Sequence, residues 1–107
     1  MKRRQVMEKR PAVSVIMSVY DPSPFCQLEA AVGSVLEQTF ADFELLLYND
    51  GSNEAASEKM RQLARSDARI LYLESEKNRG IASGLNRCIE KARGKYIARM
   101  DGDDLLL

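Results

Sequence analysis

Strand-like and helix-like hydrophobic patterns alternate along the chain. Val13, Val15, Met17 and Val19 alternate with Ser14, Ile16, Ser18 and Tyr20, the period of two expected of a β-branched-rich strand. Asp21-Pro22-Ser23-Pro24 is a strong turn signal. Ser23 is placed to cap the next helix, with Pro24 in its first turn. Phe25, Leu28, Ala31, Val32, Val35 and Leu36 recur at three- and four-residue spacing, which predicts a helix to about Gln38. Phe43–Tyr48 is a short, nearly continuous apolar run, suited to a strand buried on both faces. The turn cluster Asn49-Asp50-Gly51-Ser52-Asn53 follows, and Ser52 or Asn53 caps a helix with Ala56, Met60, Leu63 and Ala64 on its apolar stripe. Ile70–Leu73 reads as a third strand and Glu74–Gly80 as a polar loop. A third helix has Ile81, Leu85, Cys88, Ile89 and Ala92 on one face, Lys91 and Arg93 in its last turn and Gly94 as its stop. Tyr96–Met100 reads as a fourth strand. This β-α-β-α-β-α-β order predicts a three-layer α/β/α arrangement, a mostly parallel sheet with helices on both faces.

Composition narrows the chemistry. The 107 residues suffice for one modest domain, and 45% hydrophobic with 30% charged residues marks a folded chain. With no His present, Ser-His, Cys-His and His-metal mechanisms are excluded. Acid–base or metal chemistry falls to carboxylates. The zero net charge hides an asymmetry. Lys2, Arg3, Arg4, Lys9 and Arg10 face Glu8 alone in the first ten residues, a net of +4, and the other 97 residues hold 11 bases and 15 acids, a net of −4. Residues 1–11 therefore read as a basic tail before a domain over 12–107. Such a tail either contacts an anionic partner or is a solvated terminus. An acidic body without Trp argues against nucleic acid. Cys26 and Cys88 have no metal-type spacing; Cys88 falls on the helix stripe and is expected to be a buried thiol in a reducing compartment. A signal peptide is not favoured, because Glu8, Lys9, Arg10 and Pro11 interrupt the basic and apolar stretches. No apolar run approaches the ~18 residues that suggest a membrane span.

Polar clusters fall where an open parallel sheet binds ligands, beyond the carboxyl ends of its strands. Ser18 to Asp21 end the first strand, Asn49 to Ser52 the second and Asp101-Gly102-Asp103-Asp104 the fourth. Turns favour these residue types in any case, but three such clusters can converge on one crevice. The three acids of the last cluster repel one another unless a cation lies between them. A hard divalent ion, Mg²⁺ or Mn²⁺, suits their oxygens and is often shared with substrate phosphates. Gly102 leaves room for a phosphate. Tyr20 is either a stacking surface for a base or a core residue; Asp50 either accepts a base N–H or caps a turn. There is no GxxxxGK[ST] and no GxGxxG after the first strand.

These residues resemble family 2 glycosyltransferases of the GT-A fold. Val13-Ser-Val-Ile-Met-Ser-Val-Tyr-Asp21 is similar to the family's opening strand, and Ser34-Val-Leu-Glu-Gln-Thr-Phe-Ala-Asp-Phe-Glu44 to its S-[IV]-L-x-Q-T-[FY]-x-[DN]-[FWY]-E stretch. Asn49-Asp50-Gly51-Ser52, Asn78-Arg79-Gly80 through Asn86, Gly94-Lys-Tyr-Ile97 and Asp101-Gly-Asp-Asp104 follow in the family's order. The resemblance implies a Rossmann-like nucleotide-binding half with strand order 3-2-1-4. It implies that Tyr20 stacks near the base of a nucleotide-sugar donor, with Ser18 and Asp21 beside it. Asp50 would hydrogen-bond the base, and Asn78, Arg79 and Gly80 would line the diphosphate edge. Asp101, with Gly102, would lie near the ribose and diphosphate. Asp103 would be the main contact to Mn²⁺ or Mg²⁺, with Asp101 assisting. Asn49 stands where the family often has Asp, and Ser83-Gly84-Leu85-Asn86 where many members have A-R-N. Gly84 is expected to weaken its helix by ~1 kcal/mol relative to Ala.

The implied parent enzyme transfers a sugar with inversion from a nucleotide-diphosphate sugar, a UDP-sugar foremost, to an acceptor hydroxyl on a sugar or lipid-linked glycan. Family members continue past the DxD region to supply a catalytic base, so no residue of this chain is assigned as base and the isolated chain is expected to bind without turnover. The expected location is the cytoplasm, with peripheral attachment at the inner membrane face as a variant. The alternative is a non-catalytic α/β module that self-associates through an uncovered apolar surface. A receiver-like phosphoacceptor domain ranks last, because Asp21 is the lone acid ending the first strand.

Overall fold

The computed structural model describes residues 10–38 and 40–102. Of the expected tail, only Arg10 and Pro11 fall in that range; Asp103 and Asp104 lie outside it. Seven elements follow in the expected order: β1 (Val13–Val19), α1 (Phe25–Leu36), β2 (Phe43–Asp50), α2 (Glu54–Arg65), β3 (Ile70–Ser75), α3 (Ile81–Lys91) and β4 (Tyr96–Arg99). They form one four-stranded sheet in the order β3-β2-β1-β4, parallel throughout, with Val15 paired to Leu45 on one side and Ala98 on the other. Strand order reverses between β1 and β4. Among the described residues, no helix is long and apolar enough to cross a membrane.

Strand alternation divides the core. Val15, Met17, Val19, Leu45 and Leu47 pack under Leu28, Ala31, Val32 and Val35 of α1 and Met60 of α2. On the other face, Ile16, Leu46 and Tyr48 pack against Cys88 of α3, with Leu85 and Ala92 beside it. Every residue of β2 is buried, Leu45–Tyr48 as an apolar run buried on both faces and Glu44, Asn49 and Asp50 as polar residues with hydrogen-bond partners. Cys88 is buried and Cys26 exposed, both as free thiols, and burial pushes the Cys88 thiol up to about 11.

Local differences have physical causes. Ser23 does not cap α1: Pro24 occupies the cap position in an extended conformation, with no side-chain hydrogen bond, and its carbonyl accepts the Gln27 N–H at 3.1 Å. β2 runs on through Asn49 and Asp50 because β3 pairs with both. α3 ends at Lys91, where Ala92 turns extended, so Arg93 and Gly94 lie beyond it. Gly94 instead serves close approach, since a Cβ there would stand 2.5 Å from the Ser14 backbone nitrogen. Ile81 and Ile89 are exposed, because α3 packs on β1 and β2 and does not bury its whole apolar stripe. All four β4 residues are exposed.

Candidate functional site

The loops leaving the strands meet at the carboxyl end of the sheet, and Asp50 organises the first of them. Its side chain ends β2 at 2% exposure. The carboxylate accepts the Arg79 N–H at 2.9 Å, the Gly80 N–H at 3.0 Å and the Asn78 side-chain amide at 3.1 Å. A buried anion is tolerable when hydrogen bonds replace its water. Here they come from the loop that opens α3, so Asp50, Asn78, Arg79 and Gly80 form one cluster. Gly51 follows with φ +73° and lies so close to Lys77 and Asn78 that no Cβ fits.

Asn49 shapes the same turn from below. Its amide nitrogen donates to Ser57 Oγ at 2.8 Å and to the Tyr72 hydroxyl at 2.9 Å, and its Oδ1 accepts the Ser52 N–H at 3.0 Å. A carboxylate has no proton to give, so this pattern requires the amide that distinguishes this chain from the common Asp. The Tyr72 hydroxyl in turn donates a hydrogen bond to Glu74 Oε1 at 2.8 Å, and burial pushes its phenol up.

Asp21 joins the loops after β1 and β2. It has φ +43°, a left-handed conformation that Asp tolerates better than most residues. Its N–H donates to Ser52 Oγ at 2.8 Å, and its Oδ1 accepts the Asn53 N–H at 2.7 Å. Asn53 in turn caps α2 by accepting the Ala56 N–H.

Above this joint lies a cleft of about 280 Å³ bordered by Ser18, Tyr20, Asp21, Pro24, Gln27 and Gly102 among others. Tyr20 is 54% exposed, so it is not a core residue. The cleft thus gathers Ser18, Tyr20, Asp21 and Gly102, while Asp50, Asn78, Arg79 and Gly80 form the adjoining cluster. Pro22, Ser23, Pro24 and Gln27 were not legible as lining residues; the turn signal at Asp21–Pro24 gave no direction for its side chains. Asp101 precedes Gly102, is about half exposed and accepts a hydrogen bond from Arg99 at 3.2 Å.

Among the described residues, no three carboxylate or thiol groups gather at one point. Asp103, the expected main metal contact, lies outside them. The described part is still compatible with a hard cation. Asp101 offers an accessible carboxylate, and Gly102 keeps the cleft floor low, since a Cβ there would stand 3.1 Å from Val19 Cγ2. One or two carboxylates completed by phosphate oxygens make a usual Mg²⁺-type site.

Comparison with known proteins gives a consistent picture. The sequence model described as Glycosyl transferase family 2 matches residues 14–107. The uncharacterized glycosyltransferase EpsJ of Bacillus subtilis is 40% identical over 94 residues, covering 88% of this chain and 26% of that protein. A glycosyltransferase of Methanocaldococcus jannaschii is 35% identical over 99 residues, covering 92% of this chain and 34% of that protein. Among solved structures, the mannosyltransferase PcManGT from Pyrobaculum calidifontis, in complex with GDP-Man and Mn²⁺, superposes with a TM-score of 0.78 at 25% identity, over 91% of this chain and 29% of that one. S. aureus TarS 1–349 in complex with UDP-GlcNAc has the same fold, with a TM-score of 0.76 at 22% identity, over 87% of this chain and 27% of that one. The chain therefore spans about a quarter to a third of these relatives.

Proposed function

The chain belongs to glycosyl transferase family 2, and from that premise we propose that it forms the donor-binding portion of an inverting glycosyltransferase. The whole protein moves a sugar from a nucleotide-diphosphate sugar to an acceptor hydroxyl of a sugar or lipid-linked glycan. The observation that carries this reading is the gathering of strand-end loops at the reversal of strand order between β1 and β4, where open α/β sheets bind nucleotides.

In this reading the exposed Tyr20 ring stacks on the base, bordered by Ser18 and Asp21. Asp50 already accepts three hydrogen bonds and has capacity for a fourth, from a base N–H. Asn78, Arg79 and Gly80 line the diphosphate edge. The Arg79 guanidinium makes no ion pair among the described residues, which leaves it free to face phosphate. Asp101 and Gly102 border the ribose and diphosphate, and Asp101 and Asp103 hold Mn²⁺ or Mg²⁺. A divalent ion, when bound, offsets negative charge on the leaving diphosphate. The GDP-Man and Mn²⁺ held by PcManGT support a divalent requirement. The base that deprotonates the acceptor is assigned to no residue of this chain, so the isolated chain binds donor without transferring sugar.

Calorimetry with UDP and with GDP, each with and without Mn²⁺, tests this. The expected result is metal-dependent binding of at least one nucleotide, with the metal dependence lost in Asp103→Ala. No binding of either nucleotide at millimolar concentration, with metal present, overturns it.

A second reading, a self-associating module without donor chemistry, draws on the uncovered side of β4. On the α1 face, Tyr96 and Phe40 are exposed at an apolar groove of about 160 Å³ lined by Val13, Val15, Val35, Phe40, Phe43 and Ala98 among others, while Ile97 is exposed on the opposite face. Size-exclusion chromatography separates the two: an oligomer indifferent to nucleotide and metal favours this one.

A further inference from the structure

The end of the sheet opposite the cleft has its own charge pattern. All strands run parallel, so the segments entering them gather there. Arg10 precedes β1, Arg93 and Lys95 precede β4, and Lys91 closes α3. The segments are laced together: the Lys95 N–H donates to the Pro11 carbonyl at 3.4 Å and the Tyr96 N–H to the Ala12 carbonyl at 2.9 Å. All four basic residues are exposed. Arg93 Nε stands 3.5 Å from Glu44, whose side chain is largely buried, and the Arg93 side chain stays 58% exposed. Among the described residues, Arg10, Lys91 and Lys95 have no acidic partner. Lys95 Nζ lies 5.9 Å from the centroid of the exposed Tyr96 ring. The acids at this end are Glu37 after α1, Asp42 before β2, whose carbonyl accepts the Ala12 N–H at 3.1 Å, Asp67 after α2, already paired with Arg69, and Glu90 in the last turn of α3, already paired with Arg87.

We propose that this basic end is a docking surface for an anionic lipid bilayer. Unpaired Lys and Arg side chains near such a surface are each worth about fivefold in partitioning, and a Tyr ring with one wet and one apolar edge suits the headgroup level. Molecular polarity fits this orientation. The cleft end carries Asp21, Asp50 and Asp101 together with Lys77, Arg79 and Arg99, of which Arg99 is paired with Asp101, and Asp103 and Asp104 follow in sequence. It stands about a strand length away, roughly 25 Å at 3.3 Å per residue. That exceeds the ~8 Å screening length at physiological salt, so those acids escape repulsion from the lipid while the cleft stays open to solvent. A nucleic acid fits less well. The basic residues form a spot at one pole rather than a track following a phosphate backbone. The proposal needs no nucleotide and stands apart from donor binding.

Co-sedimentation of the full chain with vesicles tests it. The chain is expected to bind phosphatidylcholine vesicles containing phosphatidylglycerol, to ignore pure phosphatidylcholine, and to release as salt rises. Replacing Arg10, Lys91 and Lys95 together with Gln is expected to lower partitioning about 100-fold, at ~fivefold per charge, with nucleotide calorimetry unchanged. Arg10→Lys with Lys91→Arg and Lys95→Arg is expected to bind as the parent does, separating loss of charge from loss of fold. The proposal is overturned by any of four results: no binding to anionic vesicles, equal binding to neutral ones, full binding by the Gln variant, or tighter binding to a DNA duplex than to vesicles. Binding abolished by deleting residues 1–9 but unmoved in the Gln variant also overturns it.

Discussion

Gly84 sits where α3 presses closest on the sheet, and a Cβ there would fall on Ser18 Oγ and within 2.8 Å of the Tyr48 ring. Helix propensity alone favours Ala by ~1 kcal/mol; overpacking a dense site costs about 1–3 kcal/mol. Contrary to the propensity argument, Gly84→Ala is therefore expected to lower the urea midpoint, and to weaken nucleotide binding through displacement of Ser18 at the cleft. A second residue sets a pH limit. Hydrogen bonds from the Arg69 side chain and backbone hold the Asp67 carboxyl at about 2, against 3.8 for a free group. Between those values the unfolded chain binds the proton and the folded chain does not, so this stabilisation is full above pH 3.8 and fades as pH falls towards 2. Asp67→Asn is expected to lower the urea midpoint at pH 6 and to have no effect through this pair near pH 2. The acids themselves were legible in the sequence. The partners of Asp50 were not: it meets Asn78, Arg79 and Gly80 across 28 to 30 residues, a distance no local pattern encodes.

Between elements, the amino-terminal end of the sheet is closed by a joint that the sequence showed only as two separate motif positions. Glu44 of β2, 7% exposed, accepts the Ser14 hydroxyl at 2.6 Å and the Arg93 N–H at 2.7 Å, and Ser14 Oγ accepts the Gly94 N–H at 2.7 Å. The joint ties β2 through β1 to the entry of β4. Glu44 and Gly94 therefore act in assembly, far from the donor cleft, although both lie in stretches that resemble the family. Glu44→Ala leaves a hydroxyl and an amide without their partner and is expected to cost about 2–6 kcal/mol, at 1–3 for each stranded polar group; chemical denaturation measures it, and nucleotide affinity of the remaining folded protein should hold. Element order and type were legible because the helices and the first strand each had one clear period and the second strand was a short apolar run bounded by turn residues. Element ends were less so: Pro24 takes the cap position that Ser23 suited, and Gly94 serves close approach to Ser14 instead of ending α3.

For the whole molecule, three interleaved β-α units dictate a parallel sheet, and the strand order 3-2-1-4 expected from the family resemblance is the order found. That order puts β1 beside β4, with the cleft at one end of the sheet and the proposed lipid-facing residues at the other. Among the described residues, the exposure of all four β4 residues was not legible, because an apolar strand reads the same whether or not a neighbour covers it. The central claim is that the cleft holds a nucleotide diphosphate and a divalent ion. Amide NMR of the labelled chain, titrated with UDP or GDP in the presence of Mg²⁺ and then with traces of paramagnetic Mn²⁺, tests it residue by residue. The account predicts shifts at Ser18 to Asp21, at Asp50 and at Asn78 to Gly80, with Mn²⁺ broadening centred on Asp101 and Gly102. Saturating nucleotide that leaves those signals in place, or Mn²⁺ broadening centred at the opposite end of the sheet, would contradict it.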